Sequence, residues 1–372
     1  MDQNSFFEAI ENQYAKQLPF VVYSRPINSV IKCWLQEDDT LHNAENFKES
    51  GFVFAPFNIE EKSVLFPKAN CTYLEIECSD IETKTIIQTE ILPNETEKLQ
   101  HIALVSKGIN SIKNHDLQKV VLSHCETKSL QNTNPITIFK RLFSTYKNAM
   151  VYCWFHPKVG LWIGATPELL FKVEGKRLTT IALAGTQAFN ESETVKWANK
   201  EIEEQQIVTD FITKQLEPYT KTMTVSEVET VKAGNLLHLK TRITSVLKDD
   251  TDLKSIIGAL HPTPAVCGFP KAKAKDFILQ NENYSREYYT GFLGELNLKE
   301  ATTRNTNRRN IENNAYSVVK TQSNFYVNLR CMQLKDSSAK IYVGGGITKD
   351  SIPEMEYEET VNKSKTIGSV LE

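Results

Sequence analysis

The chain of 372 residues is 40% hydrophobic and 24% charged, with 43 basic against 46 acidic side chains and a formal net charge of −3. Those figures exclude collagen-like, disordered and disulfide-scaffold classes, and without a basic excess nucleic acid is not expected as the main partner. Length allows two or three average domains, or one large α/β or α+β unit. In chain order, Asn4 can cap a first helix with Phe6, Phe7, Ile10 and Tyr14 on its apolar side, stopped before Pro19. Short β-type runs follow at 20–23, 30–35, 52–57 and 73–77. Residues 96–114 read as a helix through Leu99, Ile102, Ala103, Val105, Ile109 and Ile112. Stronger strand signals come at 119–123, 150–156, 161–165, 169–173 and 178–183. A long helix is predicted over 194–216, strands over 325–332 and 340–343, and a last helix over 353–370. Many antiparallel-looking hairpins with interspersed helices predict α+β rather than a doubly wound parallel sheet.

The first eleven residues hold three acids and no basic segment ahead of an apolar core, so no secretory leader is expected. No apolar run approaches the roughly 20 residues of a membrane span. The seven cysteines contain no C-x-x-C, and the seven histidines form no H-E-x-x-H or zinc-like cluster. Free, mostly buried thiols in a reducing cytoplasm follow. The stretch 299–322, KEATTRNTNRRNIENNAYSVVKTQ, is polar and rich in Asn, Thr and Arg. It reads as a basic patch or as a solvated hairpin extension. With only Arg304, Arg308 and Arg309 clustered and no interleaved aromatics, the hairpin extension is preferred.

Five places carry chemistry. The segment 340–348, KIYVGGGIT, is a strand running into three glycines. Its amides can approach an anion closely, or it is a tight turn into the next helix. In that helix Ser351 and Glu354 have capping-box spacing, and Glu356, Glu359 and Lys363 share a face. Glu359 and Lys363 are then a surface pair, or a metal ligand beside an anion-binding lysine. Glu204 lies seven residues after Trp197 and four and seven before Val208 and Phe211, inside an apolar stripe. A carboxylate there either snorkels to the stripe's edge or meets a cation. Glu168 follows a Thr-Pro turn between apolar strands, where desolvation would raise its pKa and suit it to general acid work. Lys119 opens a strand, and a half-buried lysine is a candidate base.

Lys119, Glu168, the three glycines and Glu359 belong to an ordered series: Lys119-Val-Val-Leu-Ser, Gly164-Ala-Thr-Pro-Glu-Leu-Leu, Leu183-Ala-Gly-Thr, His261-Pro-Thr-Pro-Ala-Val-Cys-Gly-Phe-Pro, Arg286-Glu-Tyr-Tyr, Leu329-Arg-Cys, and Gly344-Gly-Gly-Ile followed by Glu359-Thr. The series resembles the chorismate-utilising enzymes, and specifically the isochorismate synthases. The resemblance covers residues 95–371; residues 1–94 match loosely, through Gly51-Phe-Val-Phe-Ala-Pro-Phe. It implies two large, mainly antiparallel sheets packed face to face with helices outside, in one unit. Residues 1–94 would supply part of the sheet scaffold, and 95–372 the chorismate-binding catalytic region.

The resemblance also implies roles. Lys119 would activate water for attack at C2 of chorismate, and Glu168 would protonate the departing C4 hydroxyl. Glu204 and Glu359 would hold Mg²⁺, which in turn binds the ring carboxylate. Arg330, Lys363 and the amides of Gly344, Gly345 and Gly346 would grip the enolpyruvyl carboxylate. Tyr289, His238 and Ala265 would line the pocket. An isomerase producing isochorismate is implied, feeding menaquinone, siderophore or salicylate synthesis, in a cytoplasmic monomer without a glutaminase subunit. Salicylate synthase, an aminating synthase and a non-catalytic chorismate-binding protein are the alternatives. Lys119 argues against amination, Ala184 stands where some aminodeoxychorismate synthases have a nucleophilic lysine, and residues 262–265 match the isochorismate pattern. Gln205 in place of a common histidine, Tyr357 in place of a frequent tryptophan, and the long 299–322 loop depart from it.

Overall fold

Residues 150–156, MVYCWFH, are apolar at nearly every position, which a strand tolerates when both its faces are covered. In the computed structural model, which describes residues 1–78, 81, 95–130, 134–189, 195–233, 236–302 and 318–371, Met150–His156 is buried throughout. Val151, Cys153 and Phe155 pack with Phe6, Ile10, Phe139 and Leu142 of two helices. Met150, Tyr152 and Trp154 pack with Phe52, Phe54 and Phe66 of a second sheet. The period-two alternation of one strand thus separates two cores.

The helices among the described residues are α1 Gln3–Ala15, α2 Glu95–Lys113, α3 Pro135–Thr145, α4 Asn199–Leu216, α5 Leu253–Leu260, α6 Lys271–Asn281 and α7 Pro353–Gly368. The first sheet runs Gly268–Phe269, Lys119–Ser129, Ser338–Ile347, Cys331–Lys335, Gly160–Thr166, Met150–His156, Phe20–Ser24, Val30–Gln36, Cys71–Glu77. The second runs Thr220–Val225, Leu236–Leu247, Arg177–Ala188, Leu169–Glu174, Val318–Val327, Phe292–Thr302, Gly51–Ala55, Ser63–Pro67, His42–Ala44, with Glu229–Ala233 also on Leu236–Leu247. Neighbours in both are antiparallel. α1 and α3 cover the outer face of the first sheet. α4 and α5 cover the second sheet through Val208, Phe211, Ile256 and Leu260. α2 and α6 pack on the Lys119–Ser129 end through Val105, Ile109 and Ile278. Early strands interleave with late ones, Phe20–Ser24 on Met150–His156 and Gly51–Ala55 on Phe292–Thr302, so the chain forms one α+β unit. No helix among the described residues is long and apolar enough to cross a membrane. None of the seven cysteines is in a disulfide.

Several local expectations are corrected. Asp2, not Asn4, caps α1 by accepting from the Ser5 amide at 3.0 Å. α4 begins at Asn199 rather than 194, which leaves Trp197 ahead of the helix. No capping box forms at α7: its cap is Ile352, and Ser351 Oγ instead accepts from the Thr348 amide at 3.1 Å. The strand at Lys119 continues to Ser129, and helix α3 was not anticipated. Of the 299–322 stretch, the ends form a hairpin's two strands, Thr302 opposite Val318, and residues 303–317 lie outside the described ones.

Two corrections shape the site. Residues 325–332 are not one strand. Val318–Val327 belongs to the second sheet and Cys331–Lys335 to the first, so the chain changes sheets at 328–330. Arg330 sits in that link at φ +47°, a left-handed conformation uncommon outside glycine and typical of functional positions. The three glycines are not a turn either; they lie inside Ser338–Ile347, opposite Ser123, Leu122 and Val121. Cys331–Lys335 pairs that strand only up to Ile341, so beyond it the strand is hydrogen-bonded along one edge. The result is a notch in the first sheet, with the glycines on one side and Arg330 at its corner.

Candidate active site

A cavity of about 190 Å³ occupies this notch. Its lining includes every residue for which the family resemblance implied a role: Lys119, Glu168, Glu204, His238, Ala265, Tyr289, Arg330, Gly344, Gly345, Gly346, Glu359 and Lys363. They come from both sheets, α4, α7 and the connecting loops, which is why only their order in the chain was visible beforehand.

Lys119, 1% exposed, is the first residue of its strand, and its Nζ donates to Glu204 Oε1 at 2.6 Å. Burial would raise the Glu204 carboxyl, but the charge and hydrogen bond of Lys119, with Lys200 and Lys363, outweigh it and hold the group below its ordinary value. The carboxylate in the apolar stripe of α4 therefore meets a cation. Glu168 lies just past the end of Gly160–Thr166, which two strands separate from Lys119–Ser129 in the sheet order. Its amide donates to Thr166 Oγ1 at 3.3 Å and its carbonyl accepts from Val327 N at 3.0 Å, which anchors the turn. Burial pushes its carboxyl up to about 7, against the opposing pull of Lys119 and Arg330. Two carboxylates in one cavity are thus driven in opposite directions, the pattern that separates an acid from a permanent anion.

On the other flank, Lys363 Nζ donates to the Gly344 carbonyl at 2.9 Å and pairs with Glu359 Oε1 at 2.7 Å. In a strand the N–H and C=O of one residue point to the same edge, so the Gly344 amide shares the open edge with its carbonyl. Desolvation lowers the Arg330 guanidinium, which stays cationic because its ordinary value is so high. His238 Nδ1 donates to the Gly185 carbonyl at 3.2 Å, and burial lowers its pKa, which favours the neutral ring. The Tyr289 ring stacks on Tyr342 at 5.4 Å.

Three further charged residues line the cavity, Lys200, Glu201 and Glu356. Their signal was in the spacing: Glu201 and Glu204 are three apart on α4, as are Glu356 and Glu359 on α7. Either pair shares a helix face. Glu356 is 6% exposed, burial raises its carboxyl, and Lys200 Nζ lies 3.6 Å away. Of the departures from the family pattern, Gln205 points away from the cavity and donates to Thr209 and Thr241 hydroxyls at 3.0 and 2.8 Å. Tyr357 also turns away, its ring 5.7 Å from that of His124.

Whether the carboxylates suit a hard divalent cation can be read from the glycines beside them. A Cβ on Gly345 would lie 3.5 Å from Glu356 Oε2 and 3.9 Å from Glu359 Oε1. On Gly346 it would lie 2.8 Å from Glu204 Oε1. Oxygen donors from α4 and α7 therefore converge over two positions that bear no side chain, and all-oxygen donors are what Mg²⁺ takes. Among the described residues no three His, Cys, Asp or Glu side chains are already gathered as a complete metal cage.

Comparison with known proteins agrees with this geometry. A family model described as "Chorismate binding enzyme" matches residues 68–302, and a second, "chorismate binding enzyme", matches 315–369. The chain is 29% identical over 314 residues to "Isochorismate synthase MenF" of Pasteurella multocida, across 79% of this chain and 67% of the relative. It is 28% identical over 284 residues to "Salicylate biosynthesis isochorismate synthase" of Pseudomonas aeruginosa, across 74% of this chain but only 55% of that longer relative. Among solved structures, menaquinone-specific isochorismate synthase MenF from Escherichia coli superposes with a TM-score of 0.73 at 21% identity, covering 95% of this chain and 89% of that one. This last likeness is one of fold. Two matched segments spanning most of the sequence, and a cavity built where they meet, place the chain in the family of chorismate-binding enzymes.

Proposed function

We propose that the protein is an isochorismate synthase. The observation that carries the reading is the Lys119–Glu168 pair: a lysine and a carboxyl raised to about 7 in the lining of one cavity, with Arg330 and Lys363 in the same lining. Lys119 takes a proton from water as its oxygen bonds to C2 of chorismate. The C1–C2 double bond moves to C1–C6, the C5–C6 double bond moves to C4–C5, the C4–O bond breaks, and Glu168 supplies the proton that lets the hydroxyl leave as water. Water is consumed and released, so the change is an isomerisation. Glu204, which holds Lys119 at 2.6 Å, keeps the amine in place between turnovers. Arg330 offers a fork to the enolpyruvyl carboxylate, with Lys363 as a point charge and the Gly344 amide on the open strand edge. Tyr289 and Ala265 shape the wall, and His238 presents a neutral ring to it.

Glu204 and Glu359, with Glu201 and Glu356 near them, would hold Mg²⁺, which when bound supplies positive charge for the ring carboxylate. Lys119 favours water over ammonia as the nucleophile, so no glutaminase subunit is required. A relative named for menaquinone supports that use of the product, and one named for salicylate supports the other. Incubation with chorismate, Mg²⁺ and ammonium, followed by chromatography, tests the assignment. Isochorismate alone is the expected product; salicylate with pyruvate, an aromatic amine, or no turnover by folded protein would refute it.

A further inference from the structure

Arg286 is 3% exposed and lies behind the cavity wall, not in the lining. A buried guanidinium needs its donors matched, and here they are. Nε and Nη2 donate to the two oxygens of Glu282 at 2.7 and 2.5 Å. Nη2 also reaches the Val121 carbonyl at 2.7 Å, and Nη1 reaches the Val266 carbonyl at 3.1 Å and Thr290 Oγ1 at 3.2 Å. Glu282, at the end of α6, accepts in addition from the amide and hydroxyl of Ser123 at 2.9 and 2.8 Å.

The targets of this fork are not arbitrary. Val121, Val266 and Thr290 each line the cavity, and each belongs to a different segment. Val121 is two residues from Lys119, Val266 follows Ala265, and Thr290 follows Tyr289. One planar group therefore sets the spacing of three separate walls, and its five donors leave it a single orientation. Backbone carbonyls are two of its partners, so it fixes main chain rather than movable side-chain tips. We infer that Arg286, clamped by Glu282, is a positioning residue for the reaction: it holds the Lys119, Ala265 and Tyr289 segments in register without touching substrate.

A merely structural ion pair behaves differently. Well-packed apolar replacements for a buried pair commonly preserve or raise stability. The double variant Arg286→Met/Glu282→Leu exploits that contrast. Its readouts are the melting temperature, kcat and KM for chorismate, and amide hydrogen exchange over residues 119–123, 263–267 and 289–291. The kinetic readout rests on the isochorismate synthase reading; the exchange readout does not. Positioning predicts a retained melting temperature, kcat/KM lower by about 10²-fold with most of the loss in kcat, and faster exchange in all three segments. Wild-type kcat/KM with unchanged exchange overturns it. Should the double variant fail to fold, Arg286→Lys keeps the charge but not the fork. The same loss of kcat at a wild-type melting temperature is then expected, and retained kcat overturns the inference. A wild-type protein that never turns over chorismate refutes the functional reading alone, and exchange in the variant still decides the positioning role.

Discussion

Replacing Glu168 by Gln asks whether this carboxyl is held protonated by the fold. The group titrates near 7 in the folded protein because burial outweighs the pull of Lys119 and Arg330, against an ordinary value of 4.5. Below pH 4.5 it is protonated in both the folded and unfolded chain. As pH rises toward 7 the unfolded chain releases the proton and the folded chain keeps it, so stability falls; above about 7 the loss is complete. At about 1.4 kcal/mol per pH unit the full loss is roughly 3 kcal/mol. Glu168→Gln removes the titrating group, so the wild type should lose ground to the variant steadily across that window. Removing the carboxyl also changes the stability of the variant as a whole, so the comparison rests on the slope of each profile with pH and not on its height. Urea unfolding of both proteins from pH 4.5 to 8.5 measures it. Parallel stability profiles would refute the argument. The same titration predicts that kcat/KM for chorismate falls above about pH 7, where the acid is lost, and that the variant shows little turnover at any pH.

Lys119→Ala should abolish isochorismate formation while leaving the circular dichroism spectrum unchanged; retained product would remove Lys119 as the base. Glu204→Gln and Glu359→Gln should each raise the Mg²⁺ concentration needed for half-maximal activity by at least about 10-fold, and a chelator should silence the wild type. Gly346→Ala puts a Cβ 2.8 Å from Glu204 Oε1 and 3.1 Å from Lys119 Cε, so kcat/KM should drop about 10-fold or more. Gly345→Ala meets its neighbours at ordinary contact distance, 3.5 Å and beyond, and should be milder in the same steady-state assay. In the inactive Lys119→Ala protein, chorismate should bind more tightly with Mg²⁺ than with chelator, measured by calorimetry; equal affinity would refute a metal contact to substrate.

What could be read beforehand follows from which forces are local. The continuous apolar run of 150–156 and the apolar stripe of α2 are properties of short windows, and both elements appear where expected. Four residues that line the cavity were legible because Lys119, Glu168 and Glu359 sit in conspicuous motifs and Glu204 broke a local rule by placing charge in an apolar stripe. Tertiary contacts decided the rest. Nothing within 325–332 announces a change of sheet, since Val327 and Cys331 are equally apolar and only the partners on either side differ. The glycines read as a turn because strands rarely contain three. They are a strand because Gly344 must approach the Leu122 backbone closely, where a Cβ would stand 2.7 Å from its carbonyl oxygen. Arg286 was visible as a motif letter, yet its reach to Val121 and Val266 depends on segments 165 and 20 residues away.

The charge of the cavity connects these pieces. Four basic side chains, Lys119, Lys200, Arg330 and Lys363, line it together with five carboxylates. With Glu168 protonated, the two signs balance. A balanced cavity offers a dianion such as chorismate local partners but no net attraction, and the chain as a whole, at −3, offers none either. Lysines spent on Glu204 and Glu359 at 2.6 and 2.7 Å are moreover already neutralised. The proposed Mg²⁺ on those carboxylates would add two positive charges beside the lysines, and would leave Lys119 for water and Lys363 for the substrate carboxylate. The arrangement of acids that looks unfavourable for an anionic substrate would then make binding of metal and substrate interdependent.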